Sequence, residues 1–343
     1  MNPVARALWN PIVAKEYRTR MRTWRSPFAI TLYIVLLGGL GWAVFAAMTS
    51  NTAGFGSQGT NYGQFLFLFL VIFQVVLLAF ITPALTSGAI SGERERQTLD
   101  LLFVTPIAPF SIIWGKLLAS MSFVVLLLIL SIPIFSLVFL FGGIELDQVV
   151  YAFAVTGATA LMLGLVGIAF SSFFRRTLAA TVAAYGTAFV LLLGAFVYGY
   201  LFPIDVDPNA LTAPSPPVIT LISPVLPLYT IATNGPLAGY GVRYSQSQFQ
   251  SGAQGNQYCA PTINGGVMCT SNGVGTGYTT KGGVQSPGAT LQTGLFQGWQ
   301  YWQASIALQL MISAVALLLS ALVLPPVRRF HLRRKQAPAP VAA

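Results

Sequence analysis

Six long apolar runs constrain this chain more than any other feature of its sequence. They cover approximately residues 28–48, 64–85, 117–141, 149–170, 178–201 and 302–324. A helix needs about 20 apolar residues to cross a hydrocarbon core of ~30 Å. Only 8% of the residues are charged and 55% are hydrophobic, which excludes an ordinary soluble domain. The sequence therefore predicts an all-α polytopic membrane protein with six transmembrane helices.

The basic residues fall on one side of these spans. The two terminal segments and the two loops on the same side hold 16 of the 18 Lys and Arg residues. The opposite loops hold only Arg243 and Lys281, together with four carboxylates. The positive-inside rule then predicts cytoplasmic N- and C-termini in a cell (inner or plasma) membrane. The net charge of +10 follows from this topology and does not indicate a nucleic-acid partner.

A basic amphipathic helix is predicted over residues 10–25, before the first span. Asn10 suits an N-cap and Pro11 the first helical position. The apolar face carries Val13, Tyr17, Met21 and Trp24, and the basic face carries Lys15, Arg18 and Arg22. Such a helix lies in the headgroup plane of the lipid bilayer. The same residues also suit a basic flank that only sets orientation.

A charged segment, 87–110, separates the second and third spans. Residues 92–103 contain no proline and no internal glycine, and Pro106 and Pro109 then stop a helix. The pattern predicts a helix of about three turns over 91–103, too short to span a bilayer. One face carries Glu93, Arg96, Gln97 and Asp100, and another carries Leu99, Leu102 and Phe103. Two well-formed faces favour a docking surface over a solvated loop that merely joins two spans.

Several motifs resemble those of ABC-2-type transporter permeases, the membrane subunits of ABC transporters. They are PALT at 83–86, ISGERERQTLDLL at 90–102, TP at 105–106, WGK at 114–116, NPIVAKE at 10–16 and FSSFFRR at 170–176. The closest branch is the one labelled multicopper-enzyme maturation permease. The resemblance covers residues 10–195 well and the last span loosely.

This resemblance implies a type V exporter-like membrane domain that pairs with a second permease copy or a paralogue. Separate ABC ATPase subunits would bind ATP and Mg and would drive transport through the helix at 91–103. Polar contacts with the ATPase would come from Glu93, Arg94, Glu95, Arg96, Gln97 and Asp100, and Leu99, Leu102 and Phe103 would anchor the helix. The nearly charge-free spans favour export of a lipophilic or amphipathic substrate.

Missing motifs narrow the possible functions. The chain has no phosphate-binding loop, and its sole histidine, His331, lies in the basic tail. No ionisable residue falls mid-span, which disfavours ion-coupled secondary transport. We therefore predict a protein that is not itself an enzyme and carries no metal or cofactor. The alternative is a membrane scaffold or sensor with a ligand-binding outer loop; an intramembrane enzyme would lack plausible catalytic residues.

The outer loop, 203–300, differs from the rest of the chain. Its apolar stretch at 213–232 is interrupted by prolines, and a Gly-, Ser- and Gln-rich part follows. This composition suits either short strands and turns or a loosely ordered cap. Cys259 and Cys269 both lie there, and an oxidising exterior predicts a disulfide rather than a metal pair. The chain thus divides into a membrane domain (1–202), this loop, the sixth span (301–326) and a basic tail (327–343).

Overall fold

The computed structural model describes the spans, their shorter connections and parts of the outer loop. The described residues are 25–50, 62–97, 109–202, 204–206, 218–233, 242–244, 257–261, 267–271, 274–275 and 298–323. The predicted interfacial helix at 10–25 lies outside them except for its last residue. Its candidate residues, Val13, Lys15, Tyr17, Arg18, Met21, Arg22 and Trp24, therefore stay predictions.

The described residues form six long helices: α1 (Arg25–Ser50), α2 (Tyr62–Thr86), α4 (Pro109–Ser136), α5 (Leu146–Phe173), α6 (Thr177–Leu201) and α8 (Tyr301–Val323). Each belongs to a stretch that is long and apolar enough to cross a membrane. The predicted all-α, six-span fold is confirmed. Two shorter helices, α3 (Ser91–Glu95) and α7 (Val225–Thr233), and 3₁₀ turns at Leu137–Phe141 and Val218–Ile222 join them.

Helix α5, the fourth span, lies at the centre of the bundle. It packs against α2, α4, α6 and α8, while α1 packs against α2 and α4. Exposed large apolar side chains such as Trp42, Phe189 and Leu322 cover the outward faces of α1, α6 and α8, as expected where helices meet lipid. We call the end of the bundle with residues 87–97 and 174–176 the connector end, and the opposite end, with 142–145 and 218–233, the loop end.

Two glycines let α5 approach its neighbours closely. A Cβ at Gly167 would collide with the Thr86 hydroxyl of α2, and one at Gly164 would collide with the end of the Met121 side chain of α4. The sequence pairs Gly164 with Ala160 at the four-residue spacing that permits close helix contact. Gly167 in particular lets the second and fourth spans approach closely, because the short Thr86 side chain has little freedom to move aside.

A polar side chain inside the second span is also used for packing. Gln74 is buried and its Nε2 donates to Ser131 Oγ of α4 at 3.0 Å. A buried amide in an apolar bundle needs such a partner. Gln74 thus joins the second and third spans through a hydrogen bond.

The outer loop contains short strands as well as a buried helix. Strand β1 (Ile204–Val206) pairs in parallel with β2 (Val242–Tyr244), and β3 (Gln257–Pro261), β4 (Val267–Ser271) and β5 (Val274–Gly275) form an antiparallel sheet. Of the two alternatives for this loop, the described part follows the one with short strands. The proline-rich stretch contributes α7, which packs against α2, α5 and α8 at the loop end.

The predicted helix over 91–103 is wrong in its length. Helix α3 ends at Glu95, and Gln97 has a φ of 56°. A left-handed residue just after the last turn stops an α-helix, so Gln97 does not continue the face that carries Glu93. Residues Leu99, Asp100, Leu102 and Phe103 lie outside the described part of the chain, and their roles stay predictions.

Candidate functional site

The connector helix α3 follows a complete membrane span. Helix α2 has 25 residues, and at 1.5 Å per residue it covers more than the ~30 Å of a hydrocarbon core. A turn then begins with a hydrogen bond from the Ser87 N–H to the Pro83 carbonyl at 2.9 Å. Helix α3 therefore lies beyond the apolar part of the second span, at the connector end.

Ser171 of the fourth span holds the start of α3. Its Oγ accepts hydrogen bonds from the backbone N–H groups of Ile90 and Ser91, both at 2.9 Å. The first N–H groups of any helix lack acceptors within that helix. Ser171 supplies one from a distant part of the chain, and it is fully buried in doing so. The contact fixes the start of α3 against the end of α5.

Lys116 of the third span forms an ion pair with the connector helix. Its Nζ lies 2.7 Å from Oε1 of Glu93, and the side chains are 5% and 31% exposed, respectively. Lys116 as a whole residue is buried, at 4% exposed. A buried ammonium group requires a partner of opposite charge, and the connector provides it.

Glu95 joins the connector helix to the fifth span. Its Oε1 accepts a hydrogen bond from the Thr177 N–H at 2.7 Å, and its Oε2 accepts one from the Thr177 hydroxyl at 2.9 Å. Thr177 is the first residue of α6, where the helix dipole favours a negative charge. The bonds from the Thr177 backbone and hydroxyl, with Arg176 nearby, lower the pKa of the Glu95 carboxyl.

A second contact strengthens the link to the fifth span. The hydroxyls of Ser87 and Thr181 lie 3.0 Å apart. Residues 87–95 are thus bonded to α4, α5 and α6, the third, fourth and fifth spans, and they continue directly from the second. A displacement of α3 would act on four spans at once.

The predicted docking residues do not all face outward. Glu93 and Glu95 bind within the chain, whereas Arg94 is half-buried and Arg96 and Gln97 are exposed. Sequence reasoning missed the receiving residues Ser171, Thr177 and Thr181. Ser171 lies within the FSSFFRR motif, but its bond to residues 80 positions away depends on the tertiary packing. Among the described residues, no group of three His, Cys, Asp or Glu side chains is arranged to hold a metal ion.

The strands of the outer loop bring its two cysteines into register. Cys259 of β3 lies directly opposite Cys269 of β4 in the antiparallel pair. The two strands align the backbones of these cysteines, and the disulfide bond itself stays a prediction.

Comparison with known proteins agrees with the six-span architecture. The family described as ABC-2 family transporter protein matches residues 43–324, a range that begins within the first span and includes the connector and the sixth span. No curated protein matches the chain significantly. Because the family match covers most of the chain, the chain belongs to the ABC-2 family transporter proteins, as a multi-pass permease subunit that works with an ABC ATPase subunit.

Proposed function

We propose that this permease exports a lipophilic or amphipathic substrate and that α3 transmits the motion of the partner ATPase to the spans. The observation that carries the proposal is the set of polar contacts from residues 87–95 to α4, α5 and α6. A short helix bonded to several spans is suited to convert one displacement into a rearrangement of the bundle. ATP and Mg would bind to the ATPase and not to this chain.

The transporting unit would contain two permeases, copies or paralogues, and two ATPases. Both termini and the connector end would face the cytoplasm, because these segments hold most of the Lys and Arg residues. The proposed membrane is the cell membrane. Assignment to the multicopper-enzyme maturation branch stays a proposal that rests on the sequence motifs alone.

The register of β3 and β4 supports the disulfide that we propose between Cys259 and Cys269. Directly opposed residues of an antiparallel pair have Cα atoms about 4.5–5.5 Å apart. This range falls within the 4.4–6.8 Å that a disulfide usually spans. A disulfide here would also place the outer loop in an oxidising compartment, in agreement with the proposed orientation.

The first experiment is co-purification of the tagged full chain from its native membrane in gentle detergent. We expect an ATPase with a phosphate-binding loop to accompany it. Recovery of the chain without any ATPase would contradict the proposed function and would favour the scaffold or sensor alternative. Attention would then move to the outer loop.

The second experiment tests the role of α3 with two neighbouring serines. Ser171→Ala removes the acceptor of two connector N–H groups, whereas Ser172→Ala removes a hydroxyl that donates only within its own helix, to the Ala169 carbonyl at 2.8 Å. We expect Ser171→Ala to lower substrate transported per ATP hydrolysed in reconstituted vesicles, by about threefold to tenfold for one or two lost hydrogen bonds. Equal behaviour of the two variants would contradict coupling through this contact.

A further inference from the structure

The acidic and basic residues of the connector segment differ in their contacts. Both carboxylates are bound within the chain: Glu93 pairs with Lys116 at 2.7 Å, and Glu95 accepts two hydrogen bonds from Thr177. Both carboxylates of the connector helix thus have bonded partners within the chain, although the Glu95 side chain stays exposed.

The two arginines between and after these carboxylates behave differently. Arg96 is exposed and Arg94 is half-buried, and the structure shows no hydrogen bond or ion pair for either guanidinium among the described residues. Arg96 also lies at the tip of α3, because the left-handed Gln97 ends the helix directly after it. Over residues 91–97, which contain two carboxylates and two arginines, the charged side chains without a bonded partner among the described residues are therefore both arginines.

We propose that α3 docks on an acidic surface of the partner ATPase and that Arg94 and Arg96 provide the permease side of that contact. The inference rests on the proposed function and adds the chemistry of the partner surface. Guanidinium groups bind carboxylates through paired hydrogen bonds, and complementary charge steers association and fixes register.

Anionic lipid is the other negative surface near this end of the bundle, and the chain offers a comparison. Arg175 is also exposed at the connector end, but it is flanked by Phe173 and Leu178, which are 67% and 77% exposed. A basic residue next to exposed apolar side chains is suited to contact anionic lipid headgroups. Arg96 has the exposed polar residues Glu95 and Gln97 as neighbours. Arg175, next to exposed apolar side chains, therefore serves as the comparison residue for a lipid contact.

The experiment compares Arg94→Glu/Arg96→Glu with Arg175→Glu in the full chain, using the ATPase that co-purifies with the wild type. We expect the double variant to weaken ATPase association by about tenfold or more, because it sets like charges against the acidic surface. The Arg175 variant should bind the ATPase as the wild type does. Wild-type association should also weaken with rising salt, because salt screens exposed charges. The milder Arg94→Gln/Arg96→Gln variant gives the same comparison if the charge reversal prevents membrane insertion.

Each outcome decides the inference. ATPase association that is unchanged in both double variants would overturn it while the proposed function stands. The inference would also be overturned if those variants keep the ATPase but lose binding to vesicles of phosphatidylglycerol. The arginines would then be lipid contacts. If the wild-type chain binds no ATPase at all, the proposed function fails and this inference fails with it. Selective loss in the Arg94 and Arg96 variants supports the acidic docking surface.

Discussion

The two ends of the bundle each hold a short helix, and the two helices are held in opposite ways. At the connector end, α3 has five residues, of which only Ser91 is buried. At the loop end, α7 has nine residues, and seven are buried between α2, α5 and α8: Val225, Leu226, Pro227, Leu228, Thr230, Ile231 and Ala232. Polar contacts hold the first helix, and apolar burial holds the second.

The loop end adds hydrogen bonds to this apolar packing. Gln148 Nε2 donates to the Ile231 carbonyl at 3.1 Å, and Ser305 Oγ donates to the Leu221 carbonyl at 2.8 Å. The spans thereby supply donors for backbone carbonyls that would otherwise be buried without a partner. Irregular backbone next to membrane spans requires this kind of shielding.

The difference indicates which end can change shape. Separating α7 from the spans would expose most of its apolar surface, at about 25 cal/mol per Å². Rearranging α3 exchanges a few hydrogen bonds, each worth about 1 kcal/mol net, and the Glu93–Lys116 ion pair, and some of its polar groups already face water. We therefore expect the loop end to move as a unit with the spans, and the connector end to yield to an external force.

Leu228→Ala should have the largest effect on stability. Leu228 is 1% exposed within the core cluster at the loop end, and truncating a buried leucine costs about 2–5 kcal/mol. The thermal midpoint in detergent should fall clearly, while the number of substrate molecules transported per ATP stays unchanged in the surviving protein. Leu310→Ala, at a site that is 45% exposed on α8, is the matched control. If the thermal midpoint of Leu228→Ala falls no further than that of Leu310→Ala, then α7 is not rigidly held.

The sequence predicts the spans well because they depend on local composition. Run length and low charge identify all six helices. The length of α3, in contrast, could not be predicted from the sequence. Gln97 adopts a left-handed conformation that glycine or asparagine more commonly provides, so nothing in the sequence marks it as a helix end.

Contacts between distant residues could not be predicted from the sequence. A lysine near the end of a span often extends to the interface, but Lys116 is buried because Glu93 is folded back over it. The bonds of Ser171 and Thr177 likewise require the second, fourth and fifth spans to be placed side by side. The sequence indicates where the coupling segment lies, and the tertiary structure decides which of its charges face inward.

Variants of the Glu93–Lys116 pair should have an intermediate effect on stability, and the two single variants should differ in a definite order. Glu93→Gln leaves the nearly buried Lys116 ammonium without its ion-pair partner, whereas Lys116→Met removes the partner of a carboxylate that is 31% exposed. We expect Glu93→Gln to cost about 2–4 kcal/mol and Lys116→Met less, because the more buried charge loses more. Thermal unfolding of both variants in detergent tests this order.

The double variant Glu93→Gln/Lys116→Met completes the cycle. It should be more stable than Glu93→Gln alone, since it removes the buried charge together with its partner. Additive losses in the double variant would show that the two side chains do not depend on each other. The connector would then be held mainly by Ser171.

Glu95→Gln should have the smallest effect on stability and still change coupling. The Glu95 side chain is exposed, and a glutamine keeps one acceptor for Thr177 but loses the negative charge at the start of α6. The thermal midpoint should therefore stay close to that of the wild type, while transport per ATP falls because the fifth span follows the connector less closely. Glu145→Gln, an exposed carboxylate at the loop end, is the matched control and should change neither quantity. If Glu95→Gln transports with wild-type coupling, then the connector acts through α4 and α5 alone, and the fifth span is not driven from this end.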